Sequence, residues 1–121
     1  MVVKFDHIEV HVNDIGKYCR FLQTMFEGGT YEVISQTGTS MFTTPEGMHI
    51  EVKKRQTSEA PIVSGFSNPC LRRLGAKEFI EKLGFPIERE REAKFGMVYF
   101  FKDHEGVMWH IKNISPEEFK T

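Results

Sequence analysis

Three short stretches of this 121-residue chain confine their ionisable side chains to alternate positions. In the first, His7, Glu9 and His11 alternate with Ile8, Val10 and Val12. In the second, His49, Glu51 and Lys53 alternate with Met48, Ile50 and Val52. In the third, Met108, His110 and Lys112 alternate with Val107, Trp109 and Ile111. A period of two is that of a β-strand with one apolar and one polar face. Four of the five histidines therefore fall on faces turned away from the apolar side. Imidazoles and carboxylates that meet on such a face are the donors of a divalent metal site. The same groups can move protons or hydrogen-bond an organic ligand.

The elements that must position these residues are also legible. Asn13 and Asp14 offer helix N-cap oxygens, and Ile15, Tyr18, Cys19, Leu22, Met25 and Phe26 form one apolar helical stripe. Gly28 and Gly29 end that helix. Strands are expected over 30–35, 39–43 and 48–53, separated by Gly38 and the Pro45-Glu46-Gly47 turn. Residues 56–60 read as a polar linker. The second half repeats the order: a strand over 62–66, a turn or helix start at Asn68-Pro69, a helix over 71–83 with Gly75 as a candidate break, and strands over 87–93, 97–101 and 107–111. The Glu/Arg run at 88–92 suits an edge strand. From Ser115 onward a short helical turn or a frayed end is expected. Glu46-Gly47 before Met48–Lys53 parallels Glu105-Gly106 before Val107–Lys112, so Glu51 and His110 each stand four residues past a turn glycine. The halves read as one duplicated module.

The sequence resembles the vicinal oxygen chelate superfamily, which includes glyoxalase I, bleomycin-resistance and extradiol dioxygenase proteins. The matching residues are Phe5-Asp6-His7-Ile8 leading to Asn13-Asp14, the strand Ile50-Glu51-Val52, and Lys102-Asp103-His104-Glu105-Gly106 leading to Trp109-His110-Ile111. The resemblance implies an α+β fold of two paired βαβββ modules, about 1–55 and about 60–114, whose sheets form cupped half-barrels with helices on the convex side. It implies metal ligands at His7, Glu51 and His110 for Fe, Zn, Mn, Ni or Co, with no organic cofactor. The fifth-strand ligand position, counted back from Asn68 as the partner of Asp14, falls on Pro61, which cannot bind a metal. Glu51 is the candidate catalytic base, with Glu9 beside it. Glu9, His11, His49, Tyr99, Phe101 and Met108 are candidates for binding substrate, although Tyr99 and Phe101 either line the cleft or fill the core. The implied function is that of a lyase, isomerase or dioxygenase on a small oxygenated substrate. The alternative is a metal-free protein of the bleomycin-resistance type that sequesters a small-molecule ligand. Pairing of modules across a homodimer is the further expectation.

Composition narrows the partners. Lys and Arg total 16 against 17 Asp and Glu, so no basic excess drives nucleic-acid binding. No apolar run approaches a membrane span, and Met1 to Asp6 lacks the apolar core of a signal peptide. Two cysteines, Cys19 and Cys70, make no disulfide framework, which suits a reducing, cytoplasmic setting.

Overall fold

The computed structural model describes residues 5–56, 69–93 and 96–119. The chain divides into two compact units, Met1–Ala60 and Pro61–Thr121. Each has the order β-α-β-β-β, the α+β module that the sequence implied.

In the first unit, β1 (Ile8–Val12) leads to α1 (Ile15–Met25), then to β2 (Thr30–Val33), β3 (Ser40–Thr43) and β4 (His49–Lys54). The sheet order is β1-β4-β3-β2, with β1 parallel to β4 and the other pairs antiparallel. Asp14 caps α1 by accepting the Lys17 amide at 3.0 Å, which satisfies one of the orphan donors of the first turn. The helix packs on β3 and β4. Tyr18, Cys19 and Leu22 from its apolar stripe are buried, as are Val12, Phe42, Ile50 and Val52 of the sheet. Gly29 is required by that packing, because a Cβ there would lie 2.3 Å from Cζ of Phe42.

In the second unit, β5 (Cys70–Arg73) leads to α2 (Ala76–Leu83), β6 (Arg89–Ala93), β7 (Gly96–Lys102), β8 (Met108–Asn113) and a last turn of helix, α3 (Pro116–Phe119). The order β5-β8-β7-β6 repeats that of the first sheet and leaves the Glu/Arg strand β6 at an edge. Phe79 and Ile80 of α2 are buried along with Phe101, Trp109 and Ile111.

One segment departs from the sequence reading. The strand expected over 62–66 lies outside the described residues, and residues 71–73, expected to begin a helix, belong to β5 (Cys70–Arg73). Leu71 and Leu74 have helical spacing, but Leu71 pairs with Ile111 in a parallel ladder. Gly75 then adopts the left-handed conformation at φ 57° and starts the helix at Ala76, a geometry for which glycine carries no steric cost.

The turns before β4 and β8 are built alike from different side chains. Thr44 Oγ1 accepts the amide of Met48 at 3.0 Å. At the matching place Asp103 is buried, and its Oδ1 accepts the amides of Glu105 at 2.9 Å and Val107 at 3.0 Å. Its Oδ2 accepts the Trp109 indole N–H at 2.9 Å. Asp103 thus ties the turn to the strand that carries His110.

Candidate functional site

The register of the first sheet sorts its side chains into two faces. Ile8, Val10 and Val12 lie level with Ile50, Val52 and Lys54, and Ser40 and Phe42 oppose Val52 and Ile50. That apolar face meets α1. His7, Glu9, His11, His49, Glu51 and Lys53 share the other face with Met41 and Thr43, because side chains alternate along each strand.

Side-chain contacts on this open face are specific. The Nδ1–H of His7 donates to Asp6 Oδ2 at 2.7 Å, and its Nε2 lies 3.8 Å from Glu51 Oε1. The Asp6 carboxylate, and then the charge of Glu51, hold the His7 pKa above its ordinary value. Glu51 is the better shielded of the pair, at 15% side-chain exposure against 34% for His7. The ammonium of Lys53 lies 2.6 Å from Glu9 and 3.3 Å from Glu51, and His11 donates to Glu9 at 3.2 Å. These bonds, that of Lys53 first, push the Glu9 carboxyl down to about 2. His49 hydrogen-bonds Thr43 across the strands at 2.9 Å.

The second sheet sorts in the same way. Phe101 pairs with Trp109 and Tyr99 with Ile111, on the side where α2 packs. The opposite face carries Cys70, His110, Phe100 and Arg89 in one row across the four strands. His110 stacks on Phe100 with ring centroids 4.8 Å apart and planes 17° apart. Burial, followed by the nearby charge of Arg89, holds the His110 pKa below its ordinary value. Its Nδ1 is buried and has no hydrogen-bond partner among the described residues.

The candidate residues fall on these faces as follows. His7 and Glu51 come together, with Glu9, His11 and His49 on the same face. His110 and Met108 occupy the open face of the other unit. Phe101 is fully buried, stacked on Phe85 at 5.4 Å, and Tyr99 shares its helix-side face. The expectation that Tyr99 and Phe101 contact substrate is therefore corrected: the aromatic residue of β7 on the open face is Phe100. β7 is apolar at every position from Met97 to Phe101, so alternation alone could not choose its face.

Glu9 is level with Glu51, and Cys70 is level with His110. Pro61, the expected fifth-strand ligand position, lies outside the described residues. Sequence reasoning missed Asp6, Asp103, Phe100 and Arg89. The alternation of Glu with Arg along β6 was the available sign of the last.

The donors of the first sheet bear on the divalent ion that the resemblance implied. Asp6 fixes the His7 ring and leaves Nε2 directed at a carboxylate, the way outer carboxylates orient metal-binding imidazoles. One nitrogen and one carboxylate oxygen suit Mn, Fe or Zn. The pair fits part of a coordination sphere. Lys53 competes for Glu51, and among the described residues no three His, Cys, Asp or Glu side chains gather to hold an ion.

No family model matches the chain, and no curated protein matches it. Solved structures do, and they define the fold as that of the vicinal oxygen chelate proteins. The fosfomycin resistance protein FosX from Listeria monocytogenes, complexed with Mn(II) and sulfate ion, superposes with a TM-score of 0.72 at 20% identity, covering 98% of this chain and 95% of that one. A glyoxylase/bleomycin resistance protein/dioxygenase domain from Frankia sp. EAN1pec gives 0.71 at 15% identity, over 95% of this chain and 100% of the other. FosX from Mesorhizobium loti gives 0.65 at 15% identity over the whole of both chains. Among the described residues, no helix is long and apolar enough to cross a membrane.

Proposed function

We propose that this protein is a divalent-metal-dependent enzyme of the lyase, isomerase or dioxygenase type, acting on a small oxygenated substrate. The observation that carries this reading is the approach of His7 Nε2 to Glu51 Oε1 at 3.8 Å, with Nδ1 of the same ring held by Asp6. His7 and Glu51 are the ligands, and His110, at the position matching Glu51, is of the donor type a third ligand requires. The Mn(II) complex of the similar FosX from Listeria monocytogenes supports the choice of a hard or borderline dication. When bound, such an ion acts as a Lewis acid on a substrate oxygen.

The chain's own residues do the rest. Asp6 selects the His7 tautomer. Glu51, the more enclosed carboxylate, is the candidate proton acceptor. Glu9 is a poor base, because a carboxyl with a pKa of about 2 holds protons weakly at neutral pH. It serves as the ionised partner of Lys53 and His11. His49, His11 and Met108 remain candidates for contacting substrate.

Metal uptake tests this reading. Untagged, chelator-stripped protein titrated with Mn(II) is expected to bind about one ion per chain, and His7→Ala and Glu51→Gln are each expected to weaken binding at least ~10-fold. Absence of stoichiometric metal, with no effect of His7→Ala, would refute it. One observation favours the metal-free alternative: the Lys53 ammonium 3.3 Å from Glu51 already neutralises that carboxylate. Under that alternative, Lys53→Met creates metal binding that the parent protein lacks. Under the metal reading it only strengthens binding already present. We also propose a homodimer, since each sheet has open edges. Sedimentation showing only monomer at micromolar concentration counts against it.

A further inference from the structure

The open face of the second sheet is charged in one sense only. By register, Arg72, Arg89, Arg91, Lys102 and Lys112 all lie on it, and none of the strand positions of that face is a carboxylate. The acids of β6, Glu90 and Glu92, point to the helix side, where Glu90 pairs with Lys77 at 3.3 Å. Arg72 stands directly level with Lys112.

Arg89 is the best prepared of these cations. It is exposed, and its guanidinium carbon lies 4.3 Å from the centroid of Phe100. Phe100 is itself fixed by the stacked ring of His110 on the neighbouring strand. A guanidinium resting on an aromatic ring loses little further freedom when it binds, and its N–H edge stays available for two parallel bonds to an oxyanion. Arg91 lies two residues along on the same face, roughly 7 Å away by strand rise. Among the described residues neither arginine has a carboxylate partner.

We propose that Arg89 and Arg91, on the Phe100 platform, form a binding site for a small oxyanion: a phosphate, phosphonate or carboxylate group. The site belongs to the second unit alone and does not depend on the metal assignment made for the first. It makes an anionic small molecule the class of ligand this face selects.

The test uses the full chain, stripped of metal, at constant ionic strength. Inorganic phosphate, methylphosphonate and acetate are titrated in turn while the Nε–H resonances of the arginines are followed by NMR. Saturable movement of the Arg89 signal is expected, and the relative response to the three probes assigns the site to phosphoryl or carboxylate groups. Arg89→Ala is expected to weaken binding about tenfold or more, as loss of charge-assisted bonds does. Arg89→Lys, which keeps the charge and loses the fork, should recover only part of it. Arg91→Ala should weaken binding less than Arg89→Ala, and Lys77→Ala should leave it unchanged. Absence of saturation with all three probes would overturn the proposal. So would equal losses in Arg89→Ala and Lys77→Ala, which would mark general charge screening. Because no metal is present, failure here leaves the metal reading standing, and failure of metal uptake leaves this site standing.

Discussion

Replacing Asp103 tests the structural logic that seats the last strand. Its carboxylate accepts three hydrogen bonds, from the amides of Glu105 and Val107 and from the indole of Trp109, while only 5% exposed. Asp103→Ala leaves three donors without their acceptor. Bonds to a charged acceptor contribute roughly 1.5–3 kcal/mol each, and water reaches part of the vacated space, so a net loss of roughly 3–5 kcal/mol is expected. For a chain of this size that lowers Tm by roughly 10–20 °C. Asp103→Asn keeps an oxygen for the two amides but sets an N–H against the indole N–H, which costs about 1.5–3 kcal/mol. In the Asn background, Trp109→Phe should then be less damaging than in the wild type, with a coupling of about 1 kcal/mol or more. Urea unfolding followed by far-UV circular dichroism measures all four proteins of the cycle. Trp109 is the only tryptophan, so its fluorescence reports the turn directly where it is present. An Asp103→Ala protein within about 1 kcal/mol of wild type, together with zero coupling to Trp109, would refute the assignment of this turn as the anchor of β8.

Two further outcomes are expected. The Glu9 carboxyl should titrate near 2 in carbon-detected NMR, and Lys53→Met should move it toward the ordinary carboxylate value of 4.5. Because the folded pKa is the lower one, Glu9 contributes stability above about pH 4.5 that is lost as the pH falls toward 2, an effect screened by its 41% exposure; a Glu9 titration unmoved by Lys53→Met would show that the ion pair is not its cause. Gly29→Ala should destabilise the first unit by about 1–3 kcal/mol, since the new methyl meets Phe42 and one of them must shift; an unchanged urea midpoint would contradict that close approach.

The first module was legible because its signals agree. Strict alternation over Ile8–Val12, an Asp14 cap and a full apolar stripe on α1 all point to one answer. In the second module they conflict. Leu71 and Leu74 have helical spacing, and only the ladder to β8 shows that Leu71 belongs to a strand. That pairing is a long-range fact that local pattern does not contain. β7 shows a related limit: with apolar residues at consecutive positions, its facing is set by the pairing of Phe101 with Trp109, not by its own alternation. The Glu/Arg strand β6 could be read as solvated from composition, yet the assignment of its acids to one face and its arginines to the other is carried by period two alone. His7 stands just before β1 and Glu51 lies in β4; alternation assigns both to the polar face, and the resemblance singles them out as ligands.

The duplicated register allows the two open faces to be compared position by position. In the first sheet the row is Glu9, Glu51, Met41 and Glu32; in the second it is Cys70, His110, Phe100 and Arg89. Every carboxylate of the first row is replaced, and the end of the second is cationic. The apolar faces do not diverge in this way: Ile50 and Val52 match Trp109 and Ile111, all buried. Packing against a helix demands apolar residues in both copies, so that face is held by stability. The open faces are released from that demand, and their side chains are set by what they meet. An acidic row with an imidazole beside it attracts cations, and a row ending in a ring-supported guanidinium attracts anions. The proposed metal site and the proposed oxyanion site draw on that difference in charge between two copies of one scaffold.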